Sequence, residues 1–161
     1  MRRLVNLGAP KDKLMLGIAF YGRTYVLRDP AKHGVKARIK VTSQPEAGPY
    51  VNSHELMGYY EICPNIKSGA WTRVFDQEAK CPYAYHGDQW IGYEDEESSY
   101  LLYLIDLQMD FIIGEGYRGV MVFNNDLDDF RGICGPKNPL MTAIFNKVGE
   151  KELRKLNNTQ T

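Results

Sequence analysis

The feature that most constrains this chain is a short apolar run that leads directly into a cluster of acidic residues. Residues Gly119 to Phe123 are apolar throughout, and two of them are β-branched valines. A run of this kind predicts a strand of a parallel sheet that is buried on both faces. The segment 124–129, Asn-Asn-Asp-Leu-Asp-Asp, follows at once. Because ligand-binding groups collect at the C-terminal ends of such strands, the sequence predicts an α/β fold with a candidate site at this point.

A second run of the same kind covers Lys13 to Phe20 and is followed by Tyr21-Gly22-Arg23, and the strand predicted there covers residues 11–20. It predicts a second buried strand, preceded by the end of a helix that stops at Gly8. Helical spacing predicts a helix before Gly114 that contains Leu101, Leu104, Ile105, Phe111 and Ile112. Pro136 or Pro139 then opens a last amphipathic helix, and the residues from Glu150 onward form a polar tail.

The region between the two predicted strands has shorter patterns. Residues 38–42 alternate between polar and apolar, which predicts a half-exposed antiparallel strand, and residues 54–62 predict a helix that ends at Cys63-Pro64. Three further segments are strand-like, with a turn at 86–88 between the last two; these segments are 71–75, 81–85 and 89–93. The middle of the chain is therefore predicted to be a small α+β insertion.

Composition excludes several classes of partner. Lys plus Arg equals Asp plus Glu at 20 each over 161 residues, whereas nucleic acid or an anionic membrane as the main partner requires a basic surface. No apolar run approaches the roughly 20 residues of a membrane helix, and no apolar signal-peptide core follows Met1. The three cysteines lack Cys-x-x-Cys spacing and the histidines are scattered, so we expect no metal site built on them.

The residue pattern alone leaves three roles open for Asp126, Asp128 and Asp129. They are metal-held phosphate chemistry, carboxylate-based hydrolysis, and a structural role in which the side chains bind backbone N–H groups. Acidic residues just after a strand often cap the next helix or fix a loop. This tendency favours the structural role for the three aspartates.

Four segments, which begin at Gly17, Tyr59, Pro82 and Gly119, follow one another along the chain. In this order they resemble family 18 glycoside hydrolases, the chitinases, and most closely the animal chitinases and chitinase-like lectins. The family patterns are Gly-x-Pro-x-Tyr-Gly-Arg-x-Phe, Tyr-Tyr-Glu-[Ile/Val]-Cys, Pro-Tyr with Trp-Val-Gly-Tyr-Asp-Asp, and Gly-x-Met-Val-Trp-x-x-Asp-x-Asp-Asp-Phe with a later Cys. The matching segments are 17–25, 59–63, 82–83 with 89–95, and 119–130 with Cys134. They cover nearly the whole chain, so the match is specific.

The resemblance implies that this α/β chain is the C-terminal portion of a TIM (β/α)8 barrel, its last two strands and helices, with an inserted small α+β domain. Residues 1–25 and 94–149 would be partial barrel segments, the seventh and eighth βα units. Residues 26–93 would be the chitinase insertion domain, and residues 150–161 the polar tail. A complete barrel takes about 250 residues, so a missing N-terminal barrel portion of the parent chain is an expected partner.

The resemblance also assigns substrate-binding residues. Tyr21 and Arg23 match the groove-lining Tyr and Arg of the family, and Met121 matches a groove-lining Met. Phe123 stands where the family has a Trp that forms the floor under the sugar. Phe has a smaller ring and no N–H donor, which predicts altered chitin affinity. The family agrees with a structural role for Asp126, Asp128 and Asp129.

Family catalysis needs an Asp-x-x-Asp-x-Asp-x-Glu signature, whose Glu is the general acid and whose substrate N-acetyl carbonyl is the nucleophile. These 161 residues contain no such signature, so no catalytic residue is assigned. We expect a fragment of a chitinase that cleaves β-1,4-linked N-acetylglucosamine polymers, inactive alone. The alternative is part of a chitinase-like lectin that binds chito-oligosaccharides without cleaving them.

The family pairs the Cys of its second motif with the Cys after its fourth, which here are Cys63 and Cys134. Cys81 would remain a free thiol. Such a disulfide implies that the parent protein is secreted, although this chain shows no signal peptide. Neither a cofactor nor a metal is expected.

Overall fold

The computed structural model describes residues 1–79, 81–95, 110–112 and 114–158. Its strands are β1 (Met15–Ala19), β2 (Tyr21–Val26), β3 (Leu56–Gly58), β4 (Thr72–Asp76), β5 (Cys81–His86), β6 (Gln89–Gly92) and β7 (Gly119–Phe123). Its helices are α1 (Arg2–Asn6), α2 (Tyr59–Lys67) and α3 (Pro139–Asn158). Single 3-10 turns cover Lys11–Lys13 and Asn125–Leu127.

The two predicted barrel strands, β1 and β7, pair in parallel with Met15 opposite Gly119 and Ala19 opposite Phe123. Because side chains alternate across a strand, each strand has one core-facing row and one opposite row. The core-facing row consists of Leu16, Ile18, Val120 and Val122. These side chains share an apolar cluster with Leu140 and Ile144 from the first turns of α3. This layer of two strands and a helix matches the βα units that the sequence predicts.

The prediction that both strands are buried on both faces is wrong for the described residues. Met15, Met121 and Phe123 lie on the row opposite the core and are 50%, 45% and 56% exposed. The first strand is also shorter than the predicted 11–20, because residues 11–13 form a 3-10 turn. The described part of the chain supplies no layer that packs on this second face.

The middle of the chain forms an antiparallel sheet of five strands in the order β3-β2-β6-β5-β4. The strands predicted at 71–75, 81–85 and 89–93 and the turn at 86–88 are confirmed. Buried side chains of this sheet join the same core as the parallel pair; they include Met57, Ala84 and Ile91, together with Ile62 of α2. The second sheet begins at Tyr21, so β2 extends from the parallel pair into the middle region.

Two local predictions in the middle region are wrong. Residues 38–42 form only an isolated bridge between Ile39 and Leu27, and Val41 is 88% exposed, so no core stabilises a strand there. The predicted helix at 54–62 is confirmed only from Tyr59 onward, where α2 begins, and residues 56–58 form β3 instead. Helix α2 begins at Tyr59 because Glu61 accepts a hydrogen bond from the Gly58 N–H (2.9 Å), and it continues through Pro64.

The C-terminal helix begins at Pro139, one of the two predicted openings, and extends to Asn158. It therefore includes most of the predicted polar tail, whose sequence has no Pro to end a helix. Most of the helix predicted before Gly114 lies outside the described residues, but residues 110–112, 114 and 115 are helical. Among the described residues, no helix combines the length and apolar character needed to cross a bilayer.

Candidate functional site

The four predicted substrate-binding residues lie on two strands of different sheets. Met121 and Phe123 project from the uncovered row of β7, and Tyr21 and Arg23 lie on β2. The ring centroids of Tyr21 and Phe123 are 6.3 Å apart with an interplanar angle of 82°, the edge-to-face geometry that aromatic pairs favour. We call these four side chains the β2–β7 wall.

The backbone fixes the two strand ends beside each other. The Phe20 N–H donates to the Phe123 carbonyl oxygen at 3.1 Å, which places Tyr21 next to Phe123. Gly22 is required because a Cβ there would lie 2.6 Å from Ile91 and 2.9 Å from Ile62. Since the chain alternates, this close packing under Gly22 directs Tyr21 and Arg23 to the opposite, solvent-facing side of β2.

Arg23 connects the wall to the neighbouring strand. Its guanidinium carbon lies 5.7 Å from the Tyr21 ring centroid, and its Nη1 donates to Glu55 at 3.2 Å. The two charged side chains are 52% and 80% exposed, so this ion pair contributes little to stability. Arg23 therefore remains available to donate hydrogen bonds to a ligand that lies along the wall.

The wall can bind but has no group that cleaves a glycoside. Two ring faces, one thioether and one guanidinium suit the apolar face and the hydroxyl groups of a sugar. None of these four side chains is an acid of the strength that protonates a glycosidic oxygen. The chemistry of these four side chains is therefore that of ligand contact and not of bond cleavage.

Two of the three acidic residues after β7, Asp128 and Asp129, have the structural role that the sequence favours. Asp128 and Asp129 are fully buried, and their carboxylates accept backbone N–H groups. Burial raises the pKa of Asp128, while hydrogen bonds from the first turn of α3 oppose that rise. Asp126 is exposed, so the three carboxylates do not converge on one ion.

One trio of potential metal-ligand atoms occurs among the described residues, formed by Cys63, Asp129 and Cys134. Cys63 and Cys134 form a disulfide with 6.1 Å between their Cα atoms, the pair that the resemblance implies. Their sulfurs are therefore not thiolate ligands. This trio offers no metal site in the oxidised protein.

Comparison with known proteins assigns the chain to a family. Residues 1–128 match the model of glycosyl hydrolases family 18. The chain belongs to this family. An endochitinase of Manduca sexta is 41% identical over 145 residues, which are 88% of this chain and 25% of the relative.

Solved structures of family 18 members share the fold. A group IV chitinase of Ostrinia furnacalis in complex with allosamidin superposes with a TM-score of 0.80 at 30% identity, over 92% of this chain and 38% of that one. Human YKL-39, described as a pseudo-chitinase, gives a TM-score of 0.74 at 30% identity over the same shares. The chain thus spans well under half of these relatives. Its fold is the C-terminal portion of a TIM barrel with a small α+β unit between the two barrel strands.

The family patterns include Glu61 but did not indicate its structural role. Glu61 is buried and accepts backbone N–H groups from Tyr50, Val51 and Gly58, so it ties three segments together. Its position three residues after the N-cap Gly58 is the available sequence signal, because Glu at that place is typical of a capping box.

A second missed cluster lies where β6 ends. Arg73 donates two hydrogen bonds to Asp95 at 2.7 and 3.0 Å, and the Tyr93 hydroxyl donates to the same carboxylate at 3.0 Å. The hydrogen bond to Asp95 raises the pKa of Arg73, and burial raises that of Tyr93. Both groups therefore keep their protons, and the cluster joins β4 to the end of β6.

Glu94, beside this cluster, gives a prediction on pH dependence. Burial, followed by the charge of Asp95, raises the pKa of Glu94 to about 7, and its Oε2 has no hydrogen-bond partner among the described residues. Because folding raises the pKa of Glu94 from about 4.5, this group makes its full contribution to the stability of the protein below pH 4.5. The contribution is lost as the pH rises from 4.5 through 7. We expect Glu94→Gln to be more stable than the wild type at pH 8 by about 2 kcal/mol, and no more stable at pH 4.5. Urea unfolding at both pH values measures this, and parallel pH profiles would contradict it.

Cys81 is the free cysteine among the described residues, and it is half-buried on β5. Burial raises the pKa of its thiol, and the charges of Glu94 and Asp76 add to the rise. The thiolate is the reactive form of cysteine. Cys81 is therefore a poor nucleophile at neutral pH.

Proposed function

We propose that this chain forms one wall of a groove that holds β-1,4-linked N-acetylglucosamine chains, with Tyr21, Arg23, Met121 and Phe123 as its contacts. The observation that carries the proposal is the meeting of Tyr21 and Phe123 from different sheets, with ring centroids 6.3 Å apart. Two perpendicular rings, one of them 56% exposed, offer a corner in which a sugar ring can contact both.

The position of this corner supports the proposal. In TIM barrels the ligand binds at the C-terminal ends of the strands, and Phe123 is the last residue of β7. Among the relatives, human YKL-39 is described as a pseudo-chitinase with retained chitooligosaccharide binding. An Ostrinia furnacalis group II chitinase domain was solved as a complex with a chitooligosaccharide.

The proposal assigns no hydrolysis to these 161 residues by themselves. They contain no Asp-x-x-Asp-x-Asp-x-Glu sequence, and glycoside cleavage at a useful rate requires a positioned general acid. In a parent chain that carries the signature, its Glu would protonate the leaving oxygen while the substrate N-acetyl carbonyl attacks. The wall would then hold the sugar in the geometry that this attack requires.

A second candidate function is a chitinase-like lectin, and Phe123 favours it. The family pattern has Trp at this position, and Phe provides less stacking area and no N–H donor. A parent protein that binds chito-oligosaccharides but releases none from chitin would be this lectin. Release of oligosaccharides by the parent would establish the chitinase instead.

The proposal includes the arrangement and location of the parent protein. Residues 1–25 and 94–149 are assigned to the seventh and eighth βα units and residues 26–93 to the chitinase insertion domain, while most of the predicted tail at 150–161 belongs to α3. The uncovered row of β1 and β7 suits the missing barrel portion of the parent as a partner. The disulfide between Cys63 and Cys134 supports secretion of the parent, because disulfides persist in oxidising compartments.

The wall is tested by changing its most exposed ring. We expect Phe123→Ala to weaken binding of chitohexaose about tenfold, which equals loss of about 1.4 kcal/mol, because the sugar loses one ring contact. Phe123→Trp should strengthen binding several-fold, since Trp adds area and a donor. Isothermal titration calorimetry measures both, with release of reducing ends from chitin followed in parallel.

The matched control is Phe145→Ala, which removes a ring that is 76% exposed on α3. It should leave chitohexaose binding unchanged. Equal affinities for Phe123→Ala, Phe145→Ala and the wild type would overturn the assignment of the wall. Release of reducing ends by the wild-type chain would overturn the claim that it is inactive alone.

A further inference from the structure

A cationic segment lies in the connection after β2, away from the β2–β7 wall. Between residues 28 and 40 there is a single acidic residue, Asp29, whereas the chain as a whole has balanced charges. The cations of this segment are Arg28, Lys32, Lys36, Arg38 and Lys40. Such a local excess attracts anions even where the net charge is zero.

The lysines of this segment have carboxylate partners, but the two arginines do not. Ion pairs join Lys32 to Asp29 at 3.5 Å, Lys36 to Glu78 at 3.0 Å and Lys40 to Asp88 at 2.8 Å. Arg28 and Arg38 are exposed, and in the described ranges no carboxylate forms an ion pair with either. The Arg28 N–H donates to the Arg38 carbonyl oxygen at 2.8 Å, so the two residues lie side by side.

These side chains surround a cavity of about 690 Å³, lined by Arg28, Asp29, Lys32, Lys36, Ala37 and Arg38. Exposed arginines with no acidic partner can turn their guanidinium groups toward a ligand at little cost. A guanidinium presents paired N–H donors that match the oxygens of a sulfate or phosphate group. The chemistry of this cavity is therefore that of an anion site.

A second, apolar cavity of about 220 Å³ adjoins the first and shares Lys36 and Ala37 with it. Its walls include the rings of Tyr25 and Trp90, whose centroids are 5.9 Å apart. The Trp90 indole N–H donates to the His33 carbonyl oxygen at 2.9 Å, which fixes its ring. Tyr25 is 37% exposed, so a ligand in this cavity can reach an aromatic face.

We propose that the two cavities form a binding site for a sulfated glycan, a function that goes beyond the neutral sugar groove. Arg28 and Arg38 bind sulfate groups, and Tyr25 with Trp90 contacts the apolar face of a sugar ring. Chitin is uncharged and gives no role to unpaired arginines. Nucleic acid is the less suitable polyanion, because the chain as a whole has zero net charge.

The site is tested with a heparin-derived hexasaccharide and the full 161-residue chain. We expect the double variant Arg28→Ala/Arg38→Ala to bind it at least tenfold more weakly in calorimetric titration, and Tyr25→Ala to bind it several-fold more weakly. The control Arg3→Ala/Arg118→Ala removes two exposed cations elsewhere and should change the affinity less than twofold. Circular dichroism checks that each variant is folded.

Two further probes identify the ligand class. A desulfated hexasaccharide of the same length should bind at least tenfold more weakly than the sulfated one, and a single-stranded DNA of equal charge should also bind more weakly. The proposal is overturned if both double variants lose affinity equally, because that result indicates a diffuse charge effect. Equal binding of the desulfated sugar would remove the sulfate assignment, and tighter binding of DNA would identify a nucleic-acid site.

Discussion

We expect the double variant Cys63→Ser/Cys134→Ser to lose about 4 kcal/mol of unfolding free energy, by the chain-entropy estimate for its loop. The disulfide closes a loop with a sequence separation of 71 residues. It joins α2, which packs under the antiparallel sheet, to the segment after β7. It is thus a covalent link between the helix beside the antiparallel sheet and the segment that follows the parallel pair.

Urea unfolding followed by tryptophan fluorescence measures this loss, because Trp71 and Trp90 both lie in the middle region. Reduction of the wild type should lower the unfolding midpoint as far as the double substitution does. Cys81→Ser is the matched control, since Cys81 is half-buried and outside the disulfide, and it should cost less than about 1 kcal/mol. A double variant that is as stable as Cys81→Ser would show that the link carries no stability.

The elements with strong local patterns could be predicted from the sequence. Continuous apolar runs indicated the two parallel strands, and turn residues at 86–88 indicated the hairpin of β5 and β6, which is confirmed. These patterns act over a few residues. These strands could be predicted because local sequence is sufficient where a neighbouring strand provides the backbone hydrogen-bond partners.

The failures arose where distant groups decide the structure. The segment 56–58 pairs with β2, which lies more than 30 positions earlier in the sequence, rather than opening a helix. The alternating segment 38–42 lacks a core to face, which its own sequence cannot reveal. Burial of β1 and β7 was overestimated because one face of the pair has no covering layer among the described residues.

The candidate site was predictable as a set of residues but not as a geometry. The family pattern named Tyr21 and Phe123, which are 102 positions apart in sequence, and the structure brings their rings into edge-to-face contact. The cavity beside Tyr25 and Trp90 was not predicted. Trp90 is distant in sequence from Tyr25 and from the arginines of the adjoining cavity, so only the folded chain places them together.

The acidic segment after β7 gives the second large effect, since we expect Asp129→Ala to lose about 3 kcal/mol of unfolding free energy. The fully buried carboxylate accepts the N–H groups of Ile133 at 2.9 Å and Cys134 at 2.7 Å. Truncation to Ala removes the acceptor of both N–H groups and leaves the N–H of Cys134 buried without a partner. Asp126→Ala is the matched control, because Asp126 is exposed, and it should change stability by less than about 0.5 kcal/mol.

The same comparison separates a structural role from a metal site. Because Asp129 holds the backbone of Cys134, Asp129→Ala should also make the disulfide easier to reduce, which a thiol titration in graded dithiothreitol measures. Asp129→Asn should fall between the wild type and Ala, since its amide keeps one acceptor oxygen for the two donors. If Asp126→Ala proved as costly as Asp129→Ala, the acidic segment would be acting through its charge rather than through these hydrogen bonds. In that case the carboxylates would share a ligand, and the structural role assigned to them would be incorrect.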